Sequence, residues 1–107
     1  MKIAISATGK ELSDNVADVF GRCPYFILAE VAEGKIITSE VLENEAGNQA
    51  GGAGVAAAQL VVDKKAEAVI AKNVGPRATD VLNQFGIKVY NGEGTVEEAV
   101  LNFFAKK

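Results

Sequence analysis

Ala68-Val69-Ile70-Ala71-Lys72-Asn73-Val74-Gly75-Pro76-Arg77-Ala78 decides the fold class. Its first four residues are an unbroken apolar run, the pattern of a short strand covered on both faces. Pro76 stands where an N1 proline belongs, since the N–H it lacks has no partner there in any helix. Ala78, Val81, Leu82 and Phe85 then recur at i, i+3, i+4 and i+7, which is one face of a helix. Gly86 is the expected stop after it. On this register Phe85 belongs to the buried face, and truncating it to alanine is expected to cost about 3–5 kcal/mol. Ile87-Lys88-Val89-Tyr90 reads as the next strand. Strand, helix and strand in this order make a parallel unit with a right-handed crossover.

Working outward, Lys2 to Ala7 is a β run in which Ile3 and Ile5 alternate with smaller or charged neighbours, and Thr8-Gly9 ends it. Asn15 to Phe20 is expected to make one helical turn before Gly21. Tyr25 to Val31 is a strong strand, Glu33-Gly34 supplies a turn, and Lys35 to Leu42 returns. Two strands joined this closely must be antiparallel. The stretch Gly47-Asn48-Gln49-Ala50-Gly51-Gly52-Ala53-Gly54 opens a helix that continues to about Lys65. Thr95-Val96-Glu97-Glu98 is a capping box, followed by an apolar stripe of Val96, Val100, Phe103 and Phe104. The order is β-β-β-α-β-α-β-α, with no internal repeat or linker, so residues 1–107 read as one domain. The expected architecture is a three-layer α/β/α fold around a five-stranded mixed sheet; if the first strand sits centrally, the hairpin extends the sheet one way and the later strands the other. Strand count and order are those of the ribonuclease H-like fold.

Composition excludes several function classes. A chain of 107 residues buries roughly two-thirds of its unfolded surface without staples. The single cysteine, Cys23, rules out an internal disulfide and suits a reducing compartment. Net charge is −3 and the basic residues are scattered, which disfavours a nucleic-acid partner. No apolar run approaches the ~18 residues of a membrane span, and the N-terminal run is too short for a signal-peptide core. The chain is therefore read as cytoplasmic, with neither membrane nor nucleic acid as partner. Histidine is absent, which removes the commonest general base. Neither Lys2–Ala7 nor the strand around Val69 carries a carboxylate, so two-metal nuclease chemistry lacks its ligands. Ser6, Thr8 and Ser13 have no evident activating partner. The reading is a protein that is not an enzyme.

What remains is binding. In open α/β sheets ligands sit at the topological switch point, beside the C-terminal ends of the central strands. Three segments converge there: Ser6 and Thr8, the turn from Asn73 through Gly75 to Arg77, and the helix start at Gly51, Gly52 and Gly54. Glycines let backbone approach a ligand, and a helix N-terminus offers unpaired N–H donors to an anion. Gly52→Val is accordingly expected to reduce binding sharply while leaving folding largely intact. Arg22 and Arg77, the only arginines in the chain, are suited to clamp an oxyanion or an anionic cluster. Cys23 is the candidate metal ligand through a thiolate beside Arg22. Against these stand plainer readings: glycines that let a helix pack closely, solvated arginines, and a cysteine buried as a small hydrophobe.

The chain resembles the dinitrogenase iron–molybdenum cofactor biosynthesis family along essentially its whole length. The likeness rests on Met1-Lys2-Ile3-Ala4-Ile5, Phe20-Gly21-Arg22-Cys23-Pro24-Tyr25-Phe26, Gly51-Gly52-Ala53-Gly54, Asn73-Val74-Gly75-Pro76-Arg77-Ala78 and Gly94-Thr95-Val96-Glu97-Glu98. The resemblance implies a ribonuclease H-like fold without nuclease residues. It also implies a carrier role for an anionic metallocluster or its precursor, either iron–sulfur or iron/molybdenum–sulfur, with a donor or acceptor protein as partner. Cluster-carrying members often have histidine or further cysteine in the loop before the first long helix. Here that loop reads Asn48-Gln49-Ala50-Gly51-Gly52, so the chain looks like the small stand-alone members of unassigned role. A cluster would be held by one thiolate, backbone N–H groups and arginines. The alternative is a protein-interaction module with no bound cluster.

Overall fold

Among the described residues, five strands and three helices follow in the order β1 (Lys2–Ala7), β2 (Tyr25–Ala32), β3 (Lys35–Glu43), α1 (Ala53–Asp63), β4 (Ala68–Ala71), α2 (Pro76–Gln84), β5 (Lys88–Asn91) and α3 (Val96–Ala105). The computed structural model describes residues 1–48 and 51–105, so Gln49 and Ala50 of the glycine stretch lie outside the described residues. The sheet order is β3-β2-β1-β4-β5. β1 is antiparallel to β2 and parallel to β4, β2 is antiparallel to β3, and β4 is parallel to β5. β1 is therefore central.

Alternation along β1 divides the core into two layers. Ala4 faces α1 and α2, where Leu28, Val69, Ala57, Ala58, Val61, Ala78 and Leu82 are buried with it. Phe20 and Phe26 close that layer with ring centroids 5.1 Å apart. Ile3 and Ile5 face the other way, onto Val96, Ala99 and Val100 of α3. This is the three-layer arrangement, with helices on both sides of a mixed sheet.

Two expectations fail, each for a local physical reason. Phe85 is 56% exposed rather than buried. α2 ends one residue before it. Gly86, at φ +74°, lets its own N–H reach the Asn83 carbonyl and the Ile87 N–H reach that of Leu82. This reversal satisfies the last carbonyls of the helix and turns Ile87, not Phe85, into the core beside Leu82. Asn15 to Phe20 does not form a helical turn either. Val16 and Ala17 are buried, and their N–H groups donate to the carbonyls of Gly94 and Ser6 at 2.8 and 2.9 Å. These long-range bonds hold the segment extended, and a single 3₁₀ turn follows at Phe20–Arg22. The capping box forms as expected. Thr95 Oγ1 accepts from Glu98 N at 3.1 Å, and Glu98 Oε1 accepts from Thr95 N at 2.9 Å.

Because β3, β4 and β5 all run parallel to β1, their C-terminal ends share one edge of the sheet. The N-termini of α1, α2 and α3 start from that same edge.

Candidate functional site

At this edge α1 and α2 begin side by side, and a groove of about 430 Å³ opens between their first turns. Gly52, Ala53, Gly54 and Val55 form one wall, Gly75, Pro76, Arg77 and Ala78 the other, and Val19, Phe20, Gly21 and Arg22 the third. The first N–H groups of each helix have no partner within the helix, and both dipoles present their positive ends here. Arg22 and Arg77 are exposed at the groove, so the only two arginines of an acidic chain stand at one place.

Glycine has a specific cause at two positions. Gly52 precedes α1 at φ +70°, a left-handed conformation that a Cβ makes costly. A methyl group on Gly21 would stand 2.8 Å from both N and Cα of Gly54. The 3₁₀ turn therefore lies directly on the α1 N-terminus, and this contact forms the third wall. Asn73 fixes the same turn from below. Its Nδ2 donates to the Asp18 carbonyl at 2.7 Å, and its own carbonyl accepts from Phe20 N at 2.9 Å. Asp18 in turn pairs with Lys72 at 3.2 Å.

The groove thus gathers Arg22, Gly52, Gly54, Gly75 and Arg77. The other candidates lie outside its lining. Ser6 is fully buried in β1, and its Oγ has no hydrogen-bond partner among the described residues. Thr8 is exposed and donates to the Asn15 carbonyl at 3.3 Å. Gly51 is exposed just before the helix start. Asn73 acts on the groove wall rather than in it.

Cys23 sits behind the third wall at 2% exposure. Burial pushes its thiol up to about 12, against the opposing effect of hydrogen bonding from Asn44. At neutral pH it is a protonated thiol. Sequence reading passed over Asn44, whose role shows only in three dimensions. It is 4% exposed, and its Nδ2 donates to the carbonyls of Cys23 at 2.8 Å and Gly21 at 3.2 Å. One amide thereby ties the end of β3 to the turn that carries Arg22. Arg22 Nη1 donates to the Gly47 carbonyl at 3.2 Å across the same junction.

Among the described residues, no group of three or more His, Cys, Asp or Glu is placed to share a metal ion. The groove offers positive charge and hydrogen-bond donors instead of ligating atoms. Such donors are chemically matched to the negative outer atoms of an anion. No helix among the described residues is long and apolar enough to cross a membrane.

Comparison with known proteins identifies the family. The chain is 36% identical over its whole length to an uncharacterised protein of Methanocaldococcus jannaschii, covering 88% of that protein. It superposes on the apo form of the orange protein from Desulfovibrio gigas with a TM-score of 0.91 and 33% identity, covering 98% of this chain and 88% of the other. A NifB candidate from Thermotoga aligns with a TM-score of 0.78 and 39% identity, over 98% and 87% of the two chains. The family described as dinitrogenase iron-molybdenum cofactor matches residues 1–106, and the chain belongs to it.

Proposed function

We propose that this protein is a non-catalytic carrier that holds an anionic metallocluster, iron–sulfur or molybdenum-containing, or its precursor, in the groove between α1 and α2. The observation that carries this reading is the convergence of two helix N-termini with Arg22 and Arg77. A sulfide-bridged cluster brings its own inner ligands and presents negative outer atoms, which N–H groups and guanidinium groups match. The donor set fits cargo held by charge and hydrogen bonds, since no histidine is present and the one thiol is buried and protonated. Val19 and Val55, 47% and 38% exposed at the groove, supply an apolar rim suited to a donor or acceptor protein. Membership in an iron–molybdenum cofactor family supports the class of cargo.

Anaerobic reconstitution with ferrous iron, sulfide and molybdate, followed by desalting and metal analysis, tests the reading. Protein-bound metal in fixed proportion to chain is the expected result. Absence of retained metal under every condition contradicts it and leaves an interaction module as the better account.

A further inference from the structure

β3 is an outer strand of nine residues, so one side of its backbone faces no other strand of the sheet. An open edge of this length is a template for another chain. Ile37 and Val41 are 63% and 44% exposed on it. Pairing with β2 assigns its faces. Lys35, Thr38, Glu40 and Leu42 lie opposite Ala32, Glu30, Leu28 and Phe26, on the side of α1 and α2. Ile36, Ser39 and Val41 lie opposite Val31, Ala29 and Ile27, on the side of α3. Between Ile36 and Thr38 the register skips Ile37, a bulge.

We infer that β3 is a self-association edge. A second copy of this chain pairs its own β3 antiparallel about a twofold axis at Ser39, joining two sheets into one. Thr38 of each copy then stands opposite Glu40 of the other. Val41 falls opposite the bulged pair Ile36 and Ile37, so the exposed apolar residues of the edge cover one another twice. Leu42 falls opposite Lys35, which brings Lys35 diagonal to Glu40 of the second copy on the same face. Diagonal neighbours stand roughly 7–8 Å apart, within reach of long side chains, and opposite charges there attract. Symmetry puts one bulge toward each end of the ladder, so the two copies twist alike. Neighbouring registers lose these matches. An axis at Glu40 sets that carboxylate against its own copy, and an axis at Thr38 leaves Val41 beyond the end of the other strand.

Sedimentation equilibrium of the whole chain from about 10 µM to about 1 mM tests this surface. A concentration-dependent dimer is expected. Ile37→Lys and Val41→Lys should each weaken it by about tenfold or more, with the thermal melt of the dilute monomer unchanged. Glu40→Lys should weaken it too, by facing Lys35 with a like charge, and adding Lys35→Glu to that variant should restore it. A chain that stays monomeric throughout the range overturns the inference. So does a dimer indifferent to both apolar-to-lysine changes, or one that the charge swap fails to restore.

Discussion

Cys23 and Gly52 show how a residue's surroundings reverse what its type suggests. Beside an arginine, a cysteine reads as a thiolate of lowered pKa, yet burial at Cys23 acts the other way and holds the thiol near 12. A thiol held so high carries almost no thiolate at pH 8. Alkylation by iodoacetamide at pH 8 should therefore be negligible in native protein and rapid after denaturation. Rapid native labelling would show the thiol to be open and activated. Gly52 has a structural duty alongside any ligand. Its φ of +70° admits glycine freely and strains a β-branched side chain. Gly52→Val should cost about 1–3 kcal/mol of stability in a denaturant titration. The sequence-based expectation of largely intact folding gives way to this cost. A variant as stable as the parent would mean that this backbone conformation is not held in solution.

At the scale of elements, α2 separates periodicity from burial. The i, i+3, i+4, i+7 pattern correctly marks a helix face, and Leu82 lies fully buried on it. Phe85 completes the pattern on paper but sits past the last helical residue, where the glycine reversal turns the chain inward at Ile87. Leu82→Ala should cost about 2–5 kcal/mol by loss of packing and creation of a cavity. Phe85→Ala should cost less than about 1 kcal/mol, as expected of a mostly exposed side chain. Paired urea titrations decide between the two positions. Equal losses, or a larger one at Phe85, would place α2 one register away from the arrangement described. β1 and β4 were legible to the residue, because short apolar strands bounded by polar turns carry their own signal. The segment from Thr8 to Pro24 was not. Its conformation is set by bonds to Gly94 and Asn73, far along the chain, and back to Ser6 in β1, which no local pattern announces.

Across the whole molecule, topology does the work of assembling the groove. Parallel placement of β1, β3, β4 and β5 brings their C-terminal ends to one edge, and the helices that follow β3 and β4 start there together. A switch-point argument from strand order could thus bring Arg22, Gly52, Gly54, Gly75 and Arg77 into one place before any coordinates. It could not separate groove-lining residues from those beneath them. Ser6 shares the strand end but points into the core, and Asn73 braces the wall through Asp18 and Phe20. Asn44 escaped notice because a single polar residue after a strand looks like any loop residue. Its buried amide matters only through the two carbonyls it joins.

The central claim is that the groove, and not the cysteine, retains the cargo. Its most direct test is the molybdenum and iron retained per chain after anaerobic reconstitution of three proteins: the parent, an Arg22→Ala/Arg77→Ala double variant, and Cys23→Ala. Thermal melting confirms that each is folded. Retention is expected in the parent and in Cys23→Ala, and a drop of about tenfold or more in the double variant, since each guanidinium removed takes charge-assisted hydrogen bonds from the anion. Metal retained equally by the double variant, or lost on replacing Cys23 alone, would contradict the account.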